Sequence, residues 1–251
     1  MQRYERQTDL PKFGIEGQER LSKAHALLVG VGGLGSLIAT YLTAAGIGKL
    51  TLADGDVVSL SNLHRQVLYT EKQVGSSKAL CAAENLSKIN SSTLFTVHQK
   101  NFTPTNAIAI AHDCDLIIDG SDNAGTRYLM NDIAVGQNIP FFYGSVALFE
   151  GQVAVFNQTP HSATYRCLYP DEENMVKNLP CKAIINTAPA FAATLQCNEV
   201  LRHITHCGNT LFNRLFLFHL NPPETYTLNI TPDPEQRKTA TENYKKLLQN
   251  Q

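Results

Sequence analysis

The residues able to do chemistry in this chain gather in four short stretches. The first, Gly30-Val-Gly-Gly-Leu-Gly35, sits between two apolar runs. Residues without a Cβ let the backbone approach phosphate closely, and a helix opening there presents unpaired N–H groups and a favourable dipole. The second is Asp54, at the end of the next apolar run, with Asp56 just beyond it. A carboxylate at that point can accept hydrogen bonds from ribose hydroxyls. The competing reading is a glycine-rich turn with a solvated Asp, and the pair alone leaves open which nucleotide binds. The third stretch is Ser59-Leu-Ser-Asn62-Leu-His-Arg65-Gln66, with Lys78 a short loop further on. Arg grips phosphate oxygens with two N–H donors and Lys acts as a point charge, so this group fits a triphosphate better than a pyridine dinucleotide. Taken singly, Lys78 reads equally well as a solvated cation. The fourth is Asp119-Gly-Ser-Asp122-Asn123. Asp122, past the end of a strand, is a natural Mg²⁺ ligand beside phosphates, or else a cap for the helix that follows.

These groups meet only if the intervening chain forms alternating strands and helices. Ala26 to Val29 reads as a buried parallel strand, Ser36 to Ala45 as a helix and Lys49 to Ala53 as the second strand of a βαβ unit. A helix is expected over Ser77–Asn90, strands over Leu94–His98 and Leu116–Asp119, and helices near Asn106–His112 and Thr126–Gly136. Pro140–Gly144 reads as a strand and Ala147–Phe156 as hairpin-like. This order predicts a doubly wound α/β fold, a Rossmann-like and mainly parallel sheet. Residues 157–180 carry Pro160, Pro170 and Pro180 without a clear period and read as a mobile functional loop. A helix over Pro189–His206 and strands over Leu215–Leu220 and Thr225–Ile230 add an antiparallel C-terminal extension. The expected organisation is one domain: an N-terminal helical lead-in to residue 25, a nucleotide-binding core over 26–156, a crossover loop over 157–185, a helix and strands over 186–231, and a polar tail.

The chain has 251 residues, 17% of them charged, and a net charge of −1. That balance argues against a field attracting nucleic acid or an anionic membrane. The uncharged stretch from Ala26 to Gly48 is long enough for a membrane span, but its six glycines break a continuous helix. The first residues offer no apolar signal-peptide core, so a cytoplasmic location is expected and the six cysteines read as thiols or metal ligands. Cys81, Cys114 and Cys197 fall in apolar contexts and are expected in the core, as are Phe141, Phe142, Phe149 and Phe156.

Taken together, Arg3-Tyr4-Glu5-Arg6-Gln7, the glycine loop (Gly30, Gly32, Gly33, Gly35), Leu52-Ala-Asp-Gly-Asp56, Ser59–Gln66, Val74-Gly75 with Lys78, and Ser121-Asp122-Asn123 resemble the ThiF/MoeB/HesA family. These are bacterial relatives of ubiquitin-activating enzymes. The resemblance runs over roughly residues 1 to 230 and implies adenylation of the C-terminal glycine of a small ubiquitin-fold sulfur carrier, with ATP and Mg²⁺, in thiamine or molybdenum-cofactor synthesis or a related pathway. It implies that Asp54 holds the ribose, that Asn62, Arg65 and Lys78 bind phosphates, that Asp122 holds Mg²⁺, and that Arg6 reaches the neighbouring subunit's ATP in a homodimer. Two other classes share some of these features. An NAD-dependent oxidoreductase uses the same glycine loop and Asp54, and a noncatalytic relative binds the carrier without activating it.

Two departures stand out. Many family members bind structural zinc through two Cys-x-x-Cys pairs. Here the first reads Thr164-Tyr-Arg-Cys167, and residues 232–251 contain no cysteine. A tetrahedral thiolate site needs four ligands, so no zinc is expected; Cys167, Cys181, Cys197, Cys207, His203 and His206 have no familiar ligand spacing. Cys181, with Lys177 and Lys182 nearby, stands where some relatives carry a thiol that takes the activated carrier; it is a candidate nucleophile, or else a passive thiol, since adenylation itself does not need it.

Overall fold

The computed structural model describes residues 2–177 and 183–249. Its strands are β1 (His25–Val29), β2 (Lys49–Ala53), β3 (Leu94–His98), β4 (Leu116–Asp119), β5 (Phe141–Ala147), β6 (Glu150–Phe156), β7 (Arg214–Leu220) and β8 (Pro223–Asn229). They form one sheet in the order β3-β2-β1-β4-β5-β6-β7-β8. The first five are parallel and the remainder antiparallel. The helices are α1 (Glu5–Thr8), α2 (Gly14–Lys23), α3 (Gly35–Ala45), α4 (Lys78–Ile89), α5 (Ala107–Ala111), α6 (Ala124–Gln137), α7 (Tyr165–Leu168), α8 (Glu172–Lys177), α9 (Thr187–Thr205) and α10 (Pro234–Gln249).

Beyond His25, β1 is apolar without a break because both its faces are covered. Successive side chains alternate across a strand, so Ala26 and Leu28 enter a core with Ile38, Leu42, Leu86 and Val200, while Leu27 and Val29 enter another with Ile117, Met130 and Ile133. The chain leaves β1 through α3 to build β2 and β3 on one side, then crosses to build β4 on the other. That reversal opens a crevice above the carboxyl ends of β1 and β4, where open α/β sheets bind ligands.

Two expectations change. Residues 157–177 are not irregular throughout: they carry α7 and α8, and Ser162 to Arg166 are buried. The reason is an ion pair. Arg166, 3% exposed, makes two 2.7 Å bonds to Asp132 of α6 and a third to Glu172. Phe149 is 39% exposed in the turn between β5 and β6, whereas Phe141, Phe142 and Phe156 are buried. The tail is helical as α10 and packs on α6, where Tyr244 fills the space a Cβ on Gly136 would need. No helix among the described residues is long and apolar enough to cross a membrane.

Candidate active site

The glycine loop is shaped by close approach of backbones. Gly30 has φ +85°, donates its N–H to the Ala53 carbonyl at 2.8 Å, and would place a Cβ 2.6 Å from the Gly120 carbonyl oxygen. A Cβ on Gly35 would overlap the Gly30 carbonyl. The ends of β1 and β4 and the start of α3 can therefore touch only as glycine. No side chain caps α3 at its N-terminus, which leaves that end free to receive an anion.

Asp54 stands beside the loop, 9% exposed. Its carboxylate accepts the Val31 N–H and the Asp56 N–H, each at 2.8 Å. Burial pushes its pKa up, opposed by those two amides and by the Lys78 charge. Lys78, the first residue of α4, is buried and not the solvated cation that its position in sequence allowed. Its Nζ lies 2.9 Å from Asp56, whose side chain is 69% exposed. Asp56 thus works here as a tether for the ammonium.

The Leu60–Asn62 turn folds the third stretch back over the loop, with Gln66 N–H bonded to the Asn62 carbonyl at 3.0 Å. Gln66 is 3% exposed, stands against Gly32, and leaves its side-chain oxygen without a partner. The stem of Arg65 passes Gly33, opposite Pro189 of α9, and its Nη1 lies 2.8 Å from His64 Nε2.

Asp122 is exposed and makes no hydrogen bond among the described residues. The capping role falls to Asn123, whose side chain accepts the Thr126 N–H at 2.8 Å. A free carboxylate beside the loop fits Mg²⁺. Behind it Asp119, the first residue of the fourth stretch, pairs at 2.8 Å with Arg127, which no motif singled out. A carboxylate closing an apolar strand, Leu116-Ile-Ile-Asp119, was the available signal.

Arg6 is not with this group. Gln7 donates to the Ala45 carbonyl and the Tyr4 ring lies against Gly46, so the segment sits at the far end of α3, about 16 Å along an eleven-residue helix. Cys181 lies outside the described residues. At the Thr164–Cys167 corner, Cys167 Sγ accepts the N–H groups of Thr164 and Asp233, both at 3.3 Å, and stands 3.4 Å from the Thr164 hydroxyl. Among the described residues no three His, Cys, Asp or Glu converge as a metal site.

Comparison with known proteins supports one assignment. A ThiF family model matches residues 4–239. The sulfur carrier protein adenylyltransferase of Thermus thermophilus is 40% identical over 224 residues, which are 87% of this chain and 83% of that protein. The adenylyltransferase and sulfurtransferase MOCS3 of Caenorhabditis briggsae is 38% identical over 230 residues, 91% of this chain and 57% of its own length. The probable adenylyltransferase/sulfurtransferase MoeZ of Mycobacterium tuberculosis is 38% identical over 241 residues, 94% and 62% respectively. The chain spans a little over half the length of these last two relatives. Among solved structures, E. coli MccB with succinimide superposes with a TM-score of 0.82 at 20% identity, covering 92% of this chain and 72% of that one. PaaA gives 0.76 at 23% identity, covering 91% and 73%, and both likenesses concern the fold. With a family model over nearly the whole chain, and a relative at 40% identity matched over most of its length, the chain belongs to the ThiF family.

Proposed function

We propose that this chain adenylates the C-terminal glycine carboxylate of a small ubiquitin-fold sulfur-carrier protein, with ATP as substrate and Mg²⁺ as cofactor. The observation that carries the reading is a glycine loop with Asp54 bonded to Val31 and the Arg65 stem beside Gly33, a buried Lys78 tethered to Asp56, and Asp122, without a hydrogen-bond partner among the described residues, just past the Gly120 backbone that meets Gly30. Dinucleotide oxidoreduction shares the loop and Asp54 but has no use for that cationic group.

In this reading Asp54, with both oxygens already fixed by amides, offers its remaining lone pairs to ribose hydroxyls. The glycine loop, the start of α3, Asn62, Arg65 and Lys78 hold the phosphates, and Gln66 lines the loop at Gly32. Asp122 holds Mg²⁺, which supplies charge neutralisation at the phosphates. A glycine carboxylate oxygen bonds to the α-phosphorus while the bond to the bridging oxygen breaks, and pyrophosphate leaves with the electron pair. No general base is needed because the carboxylate is ionised at neutral pH. Two anions must be brought together, so positioning and cations carry the catalysis. Arg6 comes from a second copy in a homodimer, and Cys181 is the thiol available to take the activated carrier. In this reading no structural zinc is bound. The setting is cytoplasmic, in thiamine or molybdenum-cofactor synthesis or a related sulfur-transfer route.

ATP–pyrophosphate exchange with candidate Gly-Gly-ended carriers tests this, with intact mass for the acyl-adenylate and for carrier bound to Cys181. Exchange that depends on the carrier and disappears in Asp122→Ala is expected. Exchange absent with every carrier, or turnover of a nicotinamide cofactor instead, overturns it.

A further inference from the structure

In the proposed reaction much depends on where the Asp122 carboxylate stands, yet that side chain has no hydrogen-bond partner among the described residues. What fixes it lies beneath. Asp119, wholly buried at the end of β4, accepts the Ser121 N–H at 2.8 Å and the Ser121 hydroxyl at 2.6 Å through Oδ1. Its Oδ2 accepts Arg127 Nε at 2.8 Å. Arg127 then donates through Nη2 to the Ser121 carbonyl at 3.0 Å and reaches the Gly144 carbonyl of β5 at 3.5 Å. The Asp119 carbonyl is held in turn by Gln196 of α9 at 2.9 Å. The turn that projects Asp122 is therefore closed on itself by one planar guanidinium.

The same guanidinium lies over the Tyr143 ring, 5.5 Å from its centroid. The Tyr143 hydroxyl accepts from Gln152 at 2.8 Å, and Gln152 also donates to the Tyr169 hydroxyl at 2.6 Å. Tyr169 lies within the 157–185 crossover, three residues before the start of α8. A buried ion pair is in general no more stabilising than apolar packing of the same volume, and the wall here, Tyr143 and Tyr165, is aromatic. What Arg127 supplies that an apolar residue lacks is geometry, because its fork binds a carboxylate and a carbonyl at once.

Resting on the adenylation reading, we propose that Arg127 is a positioning residue: it holds the 119–122 turn so that Asp122 faces the nucleotide crevice, and it ties that turn through Tyr143 to the crossover segment. It touches neither ATP nor the carrier. Arg127→Lys keeps a cation for Asp119 but loses the second donor to the Ser121 carbonyl.

The test compares the full chain with Arg127→Lys and Arg127→Met, using Asp122→Asn as the reference for a lost ligand. In Arg127→Lys the KM for ATP is expected to stay within about threefold, while kcat for carrier-dependent exchange falls about 10²-fold, as a displacement near 1 Å produces. Binding of Mn²⁺ in the presence of ATP, followed by electron paramagnetic resonance, should weaken toward the Asp122→Asn value, and Arg127→Met should match or exceed the loss. Wild-type kcat and Mn²⁺ affinity in Arg127→Lys overturn the inference. So does activity that falls only in step with the folded fraction. If Arg127→Met does not fold, Arg127→Lys decides. If the wild-type chain shows no exchange with any carrier, the adenylation reading fails by itself, and Mn²⁺ binding still decides the role of Arg127.

Discussion

Replacing Arg166 with Met removes a cation from between α6 and the segment entering the crossover. Three 2.7 Å charge-assisted bonds go with it. Glu172, 44% exposed, returns to water at little cost. Asp132 cannot, because its side chain is 6% exposed. Stranding a buried carboxylate in this way costs about 3–5 kcal/mol. Asn131 and Asn243 still donate to it, each at 3.0 Å, which favours the lower end. In a chain of this size each kcal/mol shifts Tm by roughly 2–4 °C, so a fall of about 6–20 °C is expected. The pH dependence has a definite sign. Burial already pushes the Asp132 carboxyl up, and Arg166 is the chief opposing influence. Without it the native pKa rises further above the unfolded value. Between those two values the native state binds the proton and the unfolded state does not, so stability falls as pH rises through that window. Scanning calorimetry at about pH 5 and about pH 8 should show the larger deficit at the higher pH. Asp132→Asn combined with Arg166→Met should recover part of the loss. A deficit under about 1 kcal/mol, or one equal at both pH values, would refute the ion-pair account.

Gly35→Ala forces a Cβ onto the Gly30 carbonyl, with backbone on both sides and no side chain to yield. A cost of at least 1–3 kcal/mol by urea unfolding is expected, with ATP binding lost in calorimetry; unchanged binding would show that the loop does not need this contact. Arg6 is exposed and remote from its own loop, so Arg6→Ala should abolish exchange without changing Tm. Mixing it with Asp122→Ala should restore activity at about a quarter of the sites, the fraction expected from random pairing of symmetric dimers. No recovery on mixing argues against delivery from a second copy. The Cys167 corner is closed by hydrogen bonds, including Arg237 to the Thr159 and Ser162 carbonyls at 3.2 and 3.0 Å. A chelator should leave Tm unchanged and purified protein should carry no stoichiometric zinc by elemental analysis. Cys167→Ala should loosen α10 in hydrogen exchange.

Much of this architecture was legible in the sequence because it rests on local signals. Lys49 to Ala53 and Leu94 to His98 form β2 and β3 over the residues that read as strands, since an apolar run between turn residues has few other options. Phe149 was misread because periodicity carries no information about which residue of a hairpin falls in its turn. Residues 157–177 looked irregular because what orders them is distant: Arg166 pairs with Asp132, and Cys167 meets Asp233. Neither partnership has a local signature.

For the site the same division holds. The loop glycines, Asp54, Lys78 and Asp122 can be picked out from residue type and spacing, because each lies at or close to the end of a strand or the start of a helix, and the alternation of strand and helix brings those ends to one edge; Arg65 stands out by its type within the turn that follows Leu60–Asn62. Burial and pairing belong to the fold alone. That Lys78 is enclosed and tethered by Asp56, that Asn123 and not Asp122 caps α6, that Arg127 closes the turn beneath Asp122, and that Arg6 lies at the wrong end of α3 to serve its own loop all depend on residues far apart in the chain. Spacing along a chain determines which residues share a local element. Only the packing of those elements decides which charges face each other and which remain open to a ligand.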